Sequence, residues 1–287
     1  MVNLNASLLR LFIPLSMCAI LEQSNAQVAY KNAPRDSINA RFERFISTPE
    51  TSIYGLEGQL VADSLLRIDP TNARIWQTKA MPYLKNGDFI SWIKYIDKAV
   101  LYAPERYLPY RGFCKAIFIK DYKNALLDFE AIQKLKPNAP VYEMDHSMEF
   151  FRGMCYMELG QLDSARFFME KSVKWQMDNK GAEWTHFVDF FYMGIIHYEL
   201  NDISKAQYYI DASLKNYNQF PDAHYYKALI LNKLERKGEA MEHLVAIENA
   251  WKKGYRMNED NEIYSNYPKQ IGQMEVDNLK AVLVGKN

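Results

Sequence analysis

Apolar residues recur at helical spacing along most of this chain, and the pattern itself repeats. Residues 111–114 (RGFC) reappear as residues 152–155 (RGMC). Residues 192–196 (YMGII) keep the same outline after a second, equal interval. Apolar positions at this spacing are typical of amphipathic helices. Self-similarity at a period of about 40 residues predicts a stack of supersecondary units that share one elongated core.

A small residue recurs at one position of each repeat: Ala80, Gly112, Gly153, Gly194 and Ala228. Each is predicted to lie on the first helix of a pair, because a small side chain lets the backbone of the second helix approach closely. The intervals between them are uneven, which places the surplus residues in loops, at 138–145 and 176–184. Such insertions cost little, because loop-closure entropy grows slowly with length.

The repeats resemble the tetratricopeptide repeat, a 34-residue helix–turn–helix unit with Trp, Leu-Gly and Tyr on its first helix and Ala, Phe and Pro on its second. The matching residues are Trp76, Ala80, Tyr83, Pro104, Ala125, Phe129 and Pro137. The resemblance implies an all-α fold, a right-handed α-solenoid of helix–turn–helix repeats. The predicted units are 73–105, 106–138, 146–178, 187–219 and 221–253.

The five repeats fill residues 73–253 and leave a segment on either side. Residues 27–72 are predicted to contain an N-terminal segment and a degenerate helix pair. Residues 254–287 are predicted to form a polar loop and a C-terminal capping helix, which begins near Pro268 and carries Ile271, Val276 and Leu279. The helix would cover the apolar end of the last repeat, because terminal units of a solenoid need a cap.

Residues 1–26 read as a signal peptide. An apolar stretch at 8–21 is followed by Ser24-Asn25-Ala26, which suits cleavage before Gln27. The chain is therefore expected to be exported, to the periplasm, the cell surface or the medium. The stretch is shorter than the ~20 apolar residues that a membrane span needs. Bulky Met17 argues against a lipid anchor at Cys18.

Charge and cysteine content exclude several roles. Lys plus Arg and Asp plus Glu number 35 each, so no net charge favours nucleic acid. Cys114 and Cys155 occupy equivalent positions in neighbouring repeats, ~8–10 Å apart if the helices pack side by side, which exceeds the reach of a disulfide. Both are expected to be small buried residues.

The resemblance also implies a binding surface, because first helices line the concave groove of such solenoids. The groove residues carried over by register are Met81, Phe113, Phe150, Met154, Phe191, Ile195, Tyr198, Tyr225 and Leu229. Two interpretations are open. The row is an apolar groove that binds a peptide or helix of a protein partner, or it is core, covered by curvature or by the C-terminal helix.

No catalytic or cofactor-binding motif is present in the sequence. Glu183, His186 and Asp189 have the spacing of one helical face and suit a metal, but acidic residues are also favoured at a helix N-terminus. We therefore predict a non-enzymatic interaction scaffold without metal or cofactor. The alternatives are a structural spacer that uses its ends, a metal-dependent hydrolase and a glycan-binding module. The partner and the oligomeric state stay open.

Overall fold

The structure, a computed structural model, describes residues 35–46, 53–137, 139–257 and 263–285. Nearly all regular structure in these ranges is helical, which confirms the predicted all-α class. The helices are α1 (Arg35–Ile46), α2 (Leu56–Ile68), α3 (Ala73–Lys85), α4 (Phe89–Tyr102), α5 (Pro104–Cys114), α6 (Tyr122–Leu135), α7 (Met148–Glu158), α8 (Leu162–Lys180), α9 (Phe187–Glu199), α10 (Ile203–Asn216), α11 (Pro221–Lys233), α12 (Lys237–Lys252) and α13 (Gln273–Leu283).

Four short elements complete the described secondary structure. A π-helical turn (Lys115–Ile119) continues α5, and a 3-10 turn (Ala182–Trp184) precedes α9. Strands β1 (Tyr142–Glu143) and β2 (His146–Ser147) pair antiparallel in a small hairpin. The predicted signal peptide at 1–26, with Cys18, lies outside the described residues. Among the helices that are described, none is long and apolar enough to cross a membrane.

The chain divides into two compact units, residues 1–83 with 90–102 and residues 84–89 with 103–287. In the first unit, α1, α2 and the start of α3 share a core that includes Phe42, Leu66 and Ile75. The ring of Trp76 stacks on Tyr95 of α4 with centroids 6.1 Å apart. Met81, the one predicted groove residue in this unit, is half-buried.

The second unit is a series of four helical hairpins: α5–α6, α7–α8, α9–α10 and α11–α12. Pro104 and Pro221 open α5 and α11, where a proline costs no intrahelical hydrogen bond. The turns between first and second helices contain residues with positive φ, from 60° to 71°: Lys120, Gly160, Asn201 and Glu235.

Helix α13 packs on α11 and α12, and its Val276, Leu279 and Leu283 join the core of the last hairpin. It begins at Gln273, after Gly272 as N-cap, and not near Pro268 as predicted. Pro268 instead lies in a turn closed by a 3.2 Å hydrogen bond from the N–H of Gln270 to the carbonyl oxygen of Tyr267. The proline therefore shapes the approach to the helix and does not open it.

The three repeated glycines lie where the helices of a hairpin meet, as the sequence predicts. A Cβ added to Gly112 would come within 2.4 Å of the Phe129 ring on α6. One added to Gly194 would come within 2.6 Å of Ile210 on α10. Gly153 faces α8, where an added Cβ would lie 3.2 Å from the carbonyl oxygen of Ala165. The space at these glycines is filled by a side chain of the second helix at Gly112, and also by backbone atoms of the second helix at Gly153 and Gly194, so the small residue sets the approach of the two helices.

One of the two predicted loops is wrong in its first half. Residues 176–180 continue α8, which is 19 residues long and ends only at Gly181, where φ is +94°. The buried Gln176 side chain is hydrogen-bonded within the protein and anchors this turn of helix, whereas residues 178–180 are exposed. The other predicted loop, 138–145, contains strand β1 and the hairpin turn, and strand β2 follows directly after it. Cys114 and Cys155 are free and buried.

Candidate protein-binding site

The first helices of the four hairpins, α5, α7, α9 and α11, form a surface that we call the first-helix face. A short non-helical stretch of the chain's own C-terminal region, residues 265–271 (SNYPKQI), lies on it. We call this stretch the C-terminal segment. Its contacts run from the end of α5 at one side to the start of α11 at the other.

The first anchor of the C-terminal segment is at the end of α5. Ser265 Oγ donates a hydrogen bond to the backbone oxygen of Ile117, in the π-helical turn. Lys120 Nζ donates to the backbone oxygen of Asn266. Carbonyl groups in the last turn of a helix lack intrahelical partners. The segment therefore satisfies a backbone group that the helix leaves open.

The middle of the C-terminal segment is buried against α9. Pro268 is buried, and its carbonyl oxygen accepts a 2.6 Å hydrogen bond from Tyr192 Oη. The side chain of Tyr192 is fully buried, and burial raises its pKa well above the usual value. Burial also raises the pKa of Tyr267. Both phenols therefore stay protonated at any physiological pH, and Tyr192 acts as a permanent donor to the segment.

The next residue, Lys269, lies between two acidic side chains. Its Nζ is 2.8 Å from Glu199 Oε1 and 3.6 Å from Glu158 Oε1. Burial acts to lower the pKa of Lys269, but the hydrogen bond and charge of Glu199 and the charge of Glu158 outweigh it and raise the pKa. Lys269 is therefore a fixed cation held by α7 and α9.

The last anchor is a backbone contact at the start of α11. The N–H of Ile271 donates to Asp222 Oδ1 at 2.7 Å, and Asp222 is buried with 2% of its surface exposed. The following residue, Gly272, is the N-cap of α13. The segment is thus held at both ends and in the middle, by charge, by a side-chain hydroxyl and by backbone hydrogen bonds.

The nine residues predicted for the groove divide into two groups. Five are buried in the second unit: Phe113, Phe150, Met154, Phe191 and Ile195. The phenylalanine rings also pack between neighbouring hairpins, with Phe150 edge-on to Tyr192 at 5.4 Å and Phe191 edge-on to Phe220 at 5.0 Å. The other four are half-buried: Met81, Tyr198, Tyr225 and Leu229. The five buried side chains are not accessible to a ligand in this structure. Direct contact of a partner with the nine groove residues stays a prediction.

Sequence reasoning missed the polar residues that hold the C-terminal segment: Tyr192, Glu158, Glu199 and Asp222. Glu158 and Glu199 each stand five positions after a repeated glycine, Gly153 or Gly194. They therefore occupy the same place in two neighbouring repeats. A search for charged residues at equivalent repeat positions would have found this pair.

A second polar cluster surrounds the buried carboxylate of Asp189. His146 Nδ1 donates to Asp189 Oδ2 at 2.9 Å, and Ser172 Oγ and Gln176 Nε2 each donate to Oδ1 at 2.6 Å. Burial acts to raise the pKa of Asp189, but the hydrogen bond and charge of His146, with the bond from Ser172, lower it. The cluster joins the β1–β2 hairpin and α8 to the first turn of α9.

The alternative metal set that the sequence offered, Glu183, His186 and Asp189, is not the one that comes together. Glu183 is exposed, whereas His146, His186 and Asp189 place ligand atoms within 4.8 Å of one another. His186 Nδ1 accepts a hydrogen bond from the N–H of Val188 as the N-cap of α9. Asp189 is already hydrogen-bonded by His146, Ser172 and Gln176, so the cluster connects the β1–β2 hairpin and α8 to α9.

A cavity of about 380 Å³ lies beside this cluster, between α6, the β1–β2 hairpin and α8. Ser172 and Gln176 line it, but their donors are already engaged by Asp189. The exposed rings of Tyr142 and Trp175, 5.9 Å apart, stand on its wall. The rest of the lining mixes aliphatic residues with charged Glu149 and Lys171.

The partly buried His186 predicts an acid sensitivity of the second unit. Burial and the charge of His146 lower its pKa from 6.5 to about 4. His186 takes up a proton less readily in the folded state than in the unfolded chain. The stability that neutral His186 contributes is therefore complete above pH 6.5 and is lost as the pH falls towards 4. The expected loss in the free energy of unfolding is at most about 3 kcal/mol.

The measurement is urea unfolding of the parent and of H186N between pH 7 and pH 4. Asparagine keeps an N-cap acceptor but does not titrate in this range. The variant should lose less stability on acidification than the parent. Equal losses in the two proteins would assign the acid sensitivity to other groups.

Comparison with known proteins agrees with this geometry. The family model described as "Tetratricopeptide repeat" matches residues 73–106 and 150–179. No curated protein matches the sequence. Among solved structures, PilW, described as a widely conserved type IV pilus biogenesis factor, matches with a TM-score of 0.60 and 14% identity, over 77% of this chain and 96% of that chain.

Two further solved structures share the fold. Pseudomonas aeruginosa PilF matches with a TM-score of 0.58 and 13% identity, over 91% of this chain and 99% of that chain. A tetratricopeptide repeat protein from Parabacteroides merdae matches with a TM-score of 0.51 and 13% identity, over 87% of this chain and 95% of that chain. At these identities the likeness concerns the fold alone. The resemblance predicted from the repeats is confirmed.

Proposed function

Because this chain is a tetratricopeptide-repeat protein, we propose that it is a non-enzymatic scaffold whose first-helix face binds a non-helical polypeptide segment of a partner protein. One observation carries the proposal: the face already holds such a segment, the chain's own residues 265–271. Hydrogen bonds reach the backbone of that segment at Asn266, Pro268 and Ile271. Main-chain hydrogen bonds give affinity for a peptide, while side-chain contacts give specificity.

We further propose that the protein acts in the cell envelope after export. The apolar stretch at 8–21 with its small-residue cleavage site supports this. The fold shared with PilW, a pilus biogenesis factor by its description, is consistent with it. The partner in this proposal is another protein, and no metal or cofactor takes part.

The proposal predicts that an emptied first-helix face accepts the same segment from outside. We define a release variant in which residues 265–271 are replaced by a Gly-Ser linker of equal length, so that α13 keeps its attachment. A fluorescein-labelled peptide of residues 263–272 (IYSNYPKQIG) should bind this variant saturably in fluorescence anisotropy. The peptide should bind the parent chain at least about ten-fold more weakly than it binds the release variant, because the tethered segment competes at a millimolar effective concentration.

Two controls separate binding from misfolding. Circular dichroism must show that the release variant keeps the helical content of the parent and melts cooperatively. A scrambled peptide of the same composition should not bind. If the folded release variant does not bind the native peptide, the first-helix face is not a peptide-binding site. Partner contacts would then have to lie at the ends of the array, for example at exposed Met274 and Val282 of α13.

A further inference from the structure

We infer that the first-helix face selects a partner segment in which a proline is followed by a basic side chain. In this inference, which rests on the proposed function, Pro268-Lys269 is a tethered stand-in for that partner sequence. The reasons are the chemistry of three adjacent places on the face. Each place imposes a different requirement on the occupant.

The first place is an acidic pair. Glu158 on α7 and Glu199 on α9 keep 20% and 27% of their side-chain surface exposed. Within the described part of the chain, Lys269 is the basic side chain in ion-pair range of both. Without it, two partly desolvated carboxylates of neighbouring repeats would lack this cation, which is unfavourable. A ligand must therefore bring a positive charge to this point.

The second place favours a proline. The carbonyl group of Pro268 is bonded by Tyr192 Oη, whereas its imide nitrogen carries no hydrogen. A different residue here would place an additional N–H donor in a buried position, and an unpaired buried donor is costly.

The backbone at this place forms a turn that also suits proline. The N–H of Gln270 donates to the carbonyl oxygen of Tyr267 at 3.2 Å, and Lys269 has a positive φ of 62°. Pro268 therefore occupies the second position of a four-residue turn, where its fixed φ is already the one required. The turn directs the basic side chain that follows towards Glu158 and Glu199.

The third place binds the backbone of the segment and thereby fixes the register of the segment on the face. Asp222 accepts the N–H of Ile271, two residues after Lys269. This contact is available to any residue except proline. With the acidic pair it sets a fixed spacing between the basic side chain and the anchored backbone group. Recognition thus combines a basic side chain, a preceding proline turn and an anchored backbone.

The tethered arrangement has a consequence for affinity. A partner reaches the face only in the fraction of molecules whose C-terminal segment has left it, so the apparent dissociation constant equals the intrinsic one divided by that fraction. Any change that weakens docking of the segment should therefore tighten partner binding. This includes loss of the Lys269 ion pairs.

The test uses the release variant and two labelled peptides, the native 263–272 sequence and the same sequence with Lys269→Gln. The native peptide should bind about ten-fold more tightly than the glutamine peptide, because charge-assisted contacts to Glu158 and Glu199 are lost in the latter. In a release variant that also carries E158Q and E199Q, the two peptides should bind about equally. A peptide with Pro268→Ala should bind more weakly than the native one.

A second arm uses the full chain with its segment in place. The substitution K269Q in the chain should tighten binding of the native peptide by several-fold relative to the parent chain, because the competitor is weakened. Equal affinity of the native and glutamine peptides for the release variant would overturn the inference while leaving the proposed function intact. Failure of every peptide to bind the folded release variant would overturn both.

Discussion

Replacing Asp189 by alanine is expected to lower the free energy of unfolding by about 3–5 kcal/mol, because it removes the acceptor at the centre of a buried polar network. The carboxylate is fully buried and accepts hydrogen bonds from His146, Ser172 and Gln176. Without it, three donors from the β1–β2 hairpin and α8 would lose this shared acceptor. Each buried donor left unsatisfied costs about 1–3 kcal/mol.

Urea unfolding at pH 7 measures this effect. The matched control is D163A, because the Asp163 side chain is 87% exposed and pairs with Arg166 one helical turn away. That change should alter stability by no more than about 0.5 kcal/mol. If D189A were as stable as D163A, the network would not hold α8, α9 and the β1–β2 hairpin together.

Replacing Gly112 by alanine is expected to lower the free energy of unfolding by about 1–3 kcal/mol, because the added methyl group overpacks a hairpin core. The new Cβ would come within 2.4 Å of the Phe129 ring. That ring is fully buried and stacks on Phe151 at 5.8 Å, so it has no room to move away. The higher helix propensity of alanine offsets about 1 kcal/mol of the loss at most.

The control for this substitution is G238A. Gly238 is also helical, in α12, but nothing lies within 4 Å of a Cβ added there. This variant should therefore gain up to about 1 kcal/mol of stability from helix propensity. Thermal melts of the two variants should move in opposite directions. Equal melting temperatures would mean that Gly112 tolerates a methyl group and does not set the approach of α5 and α6.

The hairpin architecture was predictable because the determinants are periodic and local. The small residues at Gly112, Gly153 and Gly194 recur with the helices that they hold together. Their partners lie on the next helix of the chain, as Phe129 does for Gly112. The spacing of apolar residues in the sequence therefore indicates which residues pack between the two helices of a hairpin. The end of α8 was misjudged because only Gly181 stops the helix, and no breaker precedes it within 176–180.

The occupied first-helix face was not predictable in the same way. Its contacts join residues far apart in sequence, 76 residues for Tyr192 with Pro268 and 148 for Ile117 with Ser265. Residues 265–271 have no helical period, so no pattern assigns them to a surface.

The composition of the Asp189 cluster was missed for a similar reason. His146 comes from the β1–β2 hairpin, 43 residues before Asp189 in the chain. The spacing of Glu183, His186 and Asp189 reports only which side chains share one helical face. It carries no information about a side chain that a distant hairpin brings to that face.

Zero-length carbodiimide crosslinking tests the central claim most directly, because it joins a lysine amine to a carboxylate only where the two groups come into direct contact. The sample is the release variant with the 263–272 peptide, and crosslinks are mapped by mass spectrometry. The account predicts an amide bond between Lys269 of the added peptide and Glu199, with Glu158 as the second site. The exposed pair Lys280–Glu248, at 3.1 Å, provides an internal standard. If the standard forms while the peptide lysine joins neither glutamate, the first-helix face is not where a partner segment binds.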